Sequence, residues 1–236
     1  MAFVASYKSR VFVGSLGWHA YATGFDFADA TDMLDSTVLQ DTSKSFIPGA
    51  EGATLNIATN LDTGVAGQFA AFNTWKGTPQ VETLLWAGTT RGTECLMVQA
   101  NQSQFTVASP VAGIVTANGS QTVDGAVDFG VVLDPETGVT ANGQTTAVDN
   151  GASSANGGVA HLHVTGFSGL TSDTILVEHS TDNSAFTTLG TFTTVTGTTS
   201  QRLVIAPGTT VNRYVRVKDT VVGTGTCTRI VTFARR

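Results

Sequence analysis

The sequence predicts a mainly β protein: an N-terminal β-sandwich or barrel with one packed helix, followed by a small C-terminal β-sandwich. Three observations lead to this fold class. The 236 residues include 26 glycines and are rich in Thr, Ser and Val, which is typical of many short strands joined by turns. Many segments alternate apolar and polar residues with the period of a strand. A single segment has a convincing helical pattern.

The first strands are predicted in "SRVFVGS" and "WHAYATGFDF". In "ATLNIA", Leu55 and Ile57 lie on one face and Thr54 and Asn56 on the other, which indicates a half-buried strand. Long strands with tight turns are then expected in "QVETLLWAG", "TECLMVQANQSQFTV" and "SQTVDGAVDFGVVL".

The helix is predicted in "DTGVAGQFAAFNTWKG". Asp62 is expected to cap its start, and Gly77 with Pro79 to end it. The two interior glycines make such a helix weak, so it needs a sheet to pack on. We therefore expect Phe69 and Phe72 to be core residues. The stripe that faces the sheet is predicted to comprise Val65, Phe69, Phe72 and Lys76.

A division into two domains, residues 1–150 and 151–236, is predicted from composition and charge. The segment "DPETGVTANGQTTAVDNGASSANGG" has the composition of a linker. Before residue 151 the chain carries fourteen acidic and five basic residues, a net charge of −9, and after it the net charge is +3. In the second part, short strands separated by turns suggest a small sandwich of immunoglobulin-like or jelly-roll type.

Composition also argues against several classes of protein. The acidic first part lacks the clustered Lys and Arg that phosphate binding needs. No stretch approaches about 20 consecutive apolar residues, so no membrane span is expected. Residues 1–30 lack the pattern of a secretory signal, so synthesis in the cytoplasm is expected. Cys95 and Cys227 are far apart in sequence and are expected to be buried, reduced and structural.

Motifs for catalysis or cofactor binding are missing. The sequence has neither a G-x-S-x-G nor an H-E-x-x-H motif, so we expect no enzyme and no cofactor. His161 and His163 share a strand face and would form a metal site if Glu178 or His179 approached them. The favoured interpretation is that Ala160, Leu162 and Val164 face the core and both histidines face solvent, with no metal bound.

Part of the second half resembles β-sandwich carbohydrate-binding modules of the galactose-binding type. The resemblance lies in "DNSAFTTL" and "NRYVRV". It implies the sandwich fold more than sugar binding. If a glycan of a host surface is bound, the residues expected to face it are Asp182, Tyr214 and Arg216. This part of the chain has no Trp and a single Tyr, so an aromatic stacking platform is poorly supplied.

A polar, acidic excursion, "DMLDSTVLQDTSKSF", comes early in the chain and precedes the turn "IPG" and the strand "GATLNIATNL". A polar loop of this length inside a compact domain is uncommon and usually functional. The helix "GVAGQFAAFNTWKG" follows that strand. Through this order of loop, turn, strand and helix, residues 1–140 resemble the tail tube (major tail) proteins of long-tailed bacteriophages. The C-terminal sandwich suits the immunoglobulin-like appendage that members of that family often carry.

This resemblance implies a structural virion protein, made in the host cytoplasm. Copies of it would form hexameric rings that stack into a tube, in contact with other virion proteins, and DNA would pass through without specific binding. An acidic lumen would favour passage because it repels phosphates. The loop would contact neighbouring subunits, and its contact residues are expected to be Asp32, Asp35, Asp41, Lys44 and Phe46.

Two other functions remain open from the sequence. A phage head decoration protein uses similar β structure and would form trimers or monomers on a capsid. A free carbohydrate-binding module or adhesin would bind glycans without assembling.

Overall fold

The computed structural model describes residues 6–40, 42–64 and 67–236, and confirms the mainly β class. One α-helix, α1 (Gln68–Trp75), and two 3-10 turns (Ser6–Lys8 and Trp18–Ala20) accompany the strands in this part of the chain. In chain order the strands are β1 (Arg10–Val13), β2 (Leu16–Gly17), β3 (Ala22–Asp35), β4 (Phe46–Asn60), β5 (Gln80–Leu85), β6 (Glu94–Ala108), β7 (Thr116–Val123), β8 (Asp128–Val139), β9 (Gly143–Gln144), β10 (Val148–Asp149), β11 (Gly158–Ser180), β12 (Thr187–Thr191), β13 (Thr199–Ile205) and β14 (Tyr214–Arg235).

These elements form two compact units. Unit 1 consists of the chain up to Ala20, Gln80–Gln99 and Ala126–Arg236. Unit 2 consists of Tyr21–Pro79 and Ala100–Gly125. Residue 150, the predicted domain boundary, lies inside unit 1. The segment around it contains β9 and β10, which both pair with β14.

Unit 1 is an antiparallel ladder in the order β12-β11-β14-β8-β6-β5-β1-β2. The long strands β11 and β14 pair along almost their whole length. Short strands separated by turns are predicted for this part of the chain, but Gly158–Ser180 form the single long strand β11. Register shifts interrupt its pairing with β14 between Val164 and Ser172. The glycines that signal turns in the sequence therefore mark bulges, where one strand bends and continues.

Both faces of the first half of β11 are buried. Ala160, Leu162 and Val164 face one apolar cluster of unit 1, whereas Val159 belongs to a second cluster. His161 and His163 are fully buried as well. The prediction that these histidines face solvent is wrong, because period-2 alternation does not reveal that a second layer covers the other face of a strand.

The two imidazoles are held by a shared hydroxyl group. The carbonyl of Gly14 lies 2.7 Å from Nδ1 of His163 and can only accept, so this nitrogen carries the proton. Nε2 of His163 then accepts a hydrogen bond of 2.8 Å from the Thr83 hydroxyl, and Nδ1 of His161 lies 3.2 Å from the same oxygen. Burial lowers the pKa of His163 to about 4 and the pKa of His161 well below its ordinary value. Both rings are therefore neutral and structural at neutral pH.

We expect His163 to make the protein less stable in acid. A group whose pKa is lowered by folding contributes stability that is complete above its unfolded pKa, about 6.5, and is lost as the pH falls through its folded pKa. In His163→Gln this titration is removed, so the free energy of unfolding should fall less steeply between about pH 6.5 and pH 4 than in the wild type. Urea unfolding across that range measures the pH dependence of the free energy of unfolding in both proteins. An equal pH dependence would contradict a lowered pKa of His163 in the folded protein.

A buried ionic cluster lies elsewhere in unit 1, centred on Arg229. Its guanidinium contacts the carboxylates of Asp134, Asp173 and Asp219 and is completely buried. Burial raises the pKa of all three carboxyl groups, that of Asp219 to about 6, although Arg229 acts in the opposite direction. One guanidinium is thus the positive partner of three carboxyl groups, and the ionisation of these groups is coupled.

Cys95 and Cys227 are buried free thiols, as predicted. Burial raises the pKa of Cys95 to about 12 and that of Cys227 to about 11. Neither thiol is therefore activated as a nucleophile.

Unit 2 is a four-stranded antiparallel arrangement in the order β3-β4-β7-β6, to which β6 contributes Ala100–Ala108. Helix α1 packs on it through Phe72, whose ring lies 4.4 Å from that of Phe105. A Cβ atom at Gly119 would collide with the Phe72 ring. Glycine at this position of β7 therefore lets the aromatic ring lie directly against the backbone of the sheet.

The helix is shorter than the predicted segment. Its N-cap is Gly67, and Asp62 instead accepts a hydrogen bond of 2.9 Å from the backbone N–H of Gly64. Gly77, with a φ of 77°, follows its end as predicted. Val65 of the predicted apolar stripe lies outside the described residues.

Of the two predicted core residues of α1, Phe72 is buried and Phe69 is not. Phe72 has 2% relative exposure and Phe69 has 56%. The Phe69 and Phe105 rings meet edge to face, at 6.5 Å between centroids. The prediction for Phe69 is wrong because a two-turn helix on a sheet presents a narrower buried stripe than helical periodicity allows.

Phe72→Ala should destabilise the monomer by about 3–5 kcal/mol, the usual effect of removing a buried aromatic ring. Phe69→Ala should change the free energy of unfolding by less than about 1 kcal/mol, because its ring already contacts solvent. Denaturant unfolding of the dilute monomer compares the two matched variants. Equal losses would show that the buried face of α1 is misassigned.

Within the described residues, no helix has the length and apolar character to cross a membrane.

Candidate assembly surface

A long hairpin arm is the most distinctive feature of unit 2. Strands β3 and β4 pair along their full length, from Ala22 opposite Thr59 to Asp35 opposite Phe46. The pairing of β4 with the third strand, β7, is limited to Thr54–Asn60 of β4. We call residues 29–53, beyond this third strand, the arm. At about 3.4 Å per residue, its paired part is about 20 Å long.

The arm is exposed and carries large apolar side chains. Its direct cross-strand pairs include Leu34 with Ile47 and Met33 with Pro48. Met33, Leu34, Phe46 and Ile47 have relative exposures between 47% and 58%. An isolated two-stranded hairpin is marginally stable in water at best, and clustered exposed apolar residues mark interaction sites. The arm therefore has the character of a segment that another surface covers.

The structure changes the interpretation of the polar excursion. It was predicted as a loop, but β3 extends to Asp35 and β4 begins at Phe46, so Asp32, Asp35 and Phe46 lie in strands. Asp35 and Lys44 form an exposed ion pair at 3.9 Å. Hydrogen bonds from Thr37 lower the pKa of Asp35. Asp41, also a predicted contact residue, lies outside the described residues.

One face of unit 2 is covered with small polar residues. The register places on it every second residue of each strand, opposite to the face that contains Leu55, Ile57 and Gly119. Asp26 is the one ionisable residue in this set of paired positions. The set comprises Gly24, Asp26, Ala28, Thr54, Asn56, Ala58, Asn60, Thr116, Asn118, Ser120, Thr122, Asn101, Gln104, Thr106 and Ala108. We call this surface the polar face.

Unit 2 also has a groove between α1 and β6, which we call the α1–β6 groove. It is lined by Phe69, Phe72, Asn73, Lys76, Gln102, Ser103, Gln104 and Phe105. Lys76 is the charged member of this lining. The groove thus combines exposed aromatic surface with one positive charge.

The three predicted glycan contacts lie near one another in unit 1. Tyr214 is paired with Ser180, whose hydroxyl donates a hydrogen bond of 2.8 Å to Asp182. Asp182 also accepts from the backbone N–H groups of the following turn, and these hydrogen bonds lower its pKa. Arg216 bonds to Glu178 at 2.7 Å and stacks over the Phe186 ring at 3.8 Å. Asp182 and Arg216 therefore have structural partners, and glycan binding stays a prediction.

Sequence reasoning missed the polar face and the α1–β6 groove. The alternation of Thr54, Asn56 and Ala58 with buried residues was a visible signal for one strand of the polar face. The register between strands, which joins these positions into one surface, is not visible in the sequence. Within the described residues, no cluster of three or more His, Cys, Asp or Glu has a geometry for holding a metal ion.

The chain matches no family model and no curated protein. It is similar to solved structures of phage-type particles. One is a chain of the virion of a native gene transfer agent, with 11% identity, a TM-score of 0.42, and coverage of 53% of this chain and 97% of that one. The SPP1 tail tube gives 11% identity, a TM-score of 0.44, and coverage of 52% and 77%.

A third similarity extends over nearly the whole chain. The SPP1 Dit protein, described as a paradigm of the hub adsorption apparatus of phages that infect Gram-positive bacteria, gives 10% identity and a TM-score of 0.39, with coverage of 96% and 98%. With TM-scores below 0.5, these similarities do not by themselves indicate a function.

Proposed function

We propose that this chain is a structural protein of a bacteriophage tail, which assembles with copies of itself into a tube that DNA passes through. The observation that carries the proposal is the arm. A two-stranded extension with half-exposed Met33, Leu34, Phe46 and Ile47 is costly for a monomer to present to water. Burial against a neighbouring copy removes that cost.

The edges of unit 2 support ring formation. Strand β3 lies at one edge of the four-stranded arrangement and the second part of β6 at the other. Exposed edge strands promote pairing with other chains. Pairing of the β3 edge of one copy with the β6 edge of the next is a head-to-tail contact, and such contacts generate rings when the rotation closes.

The polar face supports the passage of DNA. Positive charge binds phosphates through release of counterions, and this face presents hydroxyl and amide groups with Asp26 as its ionisable residue. Turned toward a channel, it would let a duplex slide. Unit 1 would provide surface for contact with other virion proteins or a host glycan.

Sedimentation and negative-stain microscopy of the purified protein test the proposal. We expect concentration-dependent rings with sixfold symmetry that stack into tubes. Discrete trimers would favour a head decoration protein. A protein that stays monomeric at high concentration and binds glycans would favour a carbohydrate-binding module or adhesin, and either result would overturn the proposal.

A further inference from the structure

We propose that the α1–β6 groove of one copy is the acceptor for the arm of another, with Asp32 of the arm beside Lys76 of the groove. This inference rests on the proposed function, since it identifies the surface that receives the arm. The occupant is a second copy of this chain. The arm and the groove share apolar character and carry opposite charge.

The arm has one face suited to this contact. Leu34 and Ile47 are direct cross-strand partners, so they share a face. A Cβ atom at Gly49 would meet both Cβ of Asp32 and Cγ of Leu34, which places Asp32 on the same face. Two aliphatic side chains and one carboxylate are therefore presented together. On the opposite face, the carboxylate of Asp35 already has Lys44 as a partner.

The groove offers the complementary set. Phe69 is 56% exposed at the groove, a cost that the fold of the monomer does not explain. Phe105 lies beside it at the edge of the sheet, and Lys76 supplies the positive charge. Leu34 and Ile47 would cover the exposed aromatic surface, while Asp32 would meet Lys76 at the rim.

The net negative charge of the arm also favours the α1–β6 groove as its partner. The described part of the arm contains Asp29, Asp32, Asp35 and Glu51 against Lys44. Two acidic arms would repel each other, so packing of arm against arm is unfavourable. A groove whose charged residue is a lysine gives the arm a surface of opposite sign.

Charge reversal tests the pairing. Lys76→Glu alone and Asp32→Lys alone should each raise the concentration needed for half-maximal assembly about tenfold or more, because like charges then meet. The double variant should restore assembly most of the way to the wild-type level. Lys8→Glu changes an exposed lysine of unit 1 and serves as the matched control, with no effect expected. Melting curves of the dilute monomers show that each variant is folded.

Cross-linking gives a second readout that does not depend on charge. Ile47→Cys on one copy and Asn73→Cys on another should form an intermolecular disulfide in assemblies, whereas the native thiols are buried. Assembly unaffected by either charge reversal, or absence of both rescue and cross-link in intact tubes, would overturn this pairing and leave the proposed function standing. A wild-type chain that does not assemble would overturn both.

Discussion

Replacement of residues 31–51 by an Asn-Gly turn is expected to give a folded monomer that no longer assembles. Ala30 and Gly52 are direct partners in the ladder, and a two-residue Asn-Gly loop closes such a hairpin without strain. The change removes the exposed apolar side chains of the arm and leaves the part of β4 that pairs with β7 intact. Circular dichroism and sedimentation measure the fold and the assembly of the shortened chain.

A matched pair of point variants shows whether the arm acts through its apolar surface. Leu34→Ser with Ile47→Ser should abolish assembly, whereas Val204→Ser with Val222→Ser should not. The second pair removes side chains of similar exposure, 48% and 51%, from unit 1. Normal tubes from the shortened chain would show that the arm has no role in assembly.

Arg229→Met is expected to destabilise the protein by about 3–5 kcal/mol at neutral pH, since it leaves buried carboxylates without their positive partner. The loss should shrink as the pH falls. Burial raises the pKa of Asp134, Asp173 and Asp219 in the folded protein, and Arg229→Met raises them further. Groups of this kind stabilise the fold below their unfolded pKa of about 3.8, and that stability is lost as the pH rises through the folded pKa.

Arg213→Met is the control, because Arg213 forms an ion pair of similar geometry with Asp149 at 2.7 Å on the surface. Exposed pairs contribute about 0–1 kcal/mol, so this variant should unfold almost like the wild type. Urea unfolding at about pH 7 and about pH 4 separates the two variants. An Arg229→Met penalty that did not vary with pH would show that the carboxyl groups do not titrate with the cluster.

The sequence predicted the parts of the fold that depend on local pattern. Leu55 and Ile57 alternate with polar residues and are fully buried, and α1 ends before Gly77 as its turn chemistry requires. Phe72 is a core residue as expected. These features depend on near neighbours in the chain, so a single sequence contains them.

Features that depend on distant strands were not predictable in the same way. His161 and His163 alternate with apolar residues as solvent-facing residues do, yet both are fully buried. Their hydrogen-bond partners include Thr83 and Gly14, which are far away in the sequence. The polar composition around Asp35 suggested a loop. Composition does not reveal cross-strand pairing, and in the structure Met33 and Leu34 pair with Pro48 and Ile47.

Cryo-electron microscopy of the assembled wild-type protein shows which surfaces meet between copies and which line the channel. We expect stacked rings in which the polar face, with Asn56 and Ser120, lines the channel and the arm of each copy lies against a neighbouring copy. A reconstruction in which the arms project freely into solvent, or in which unit 1 lines the channel, would contradict it.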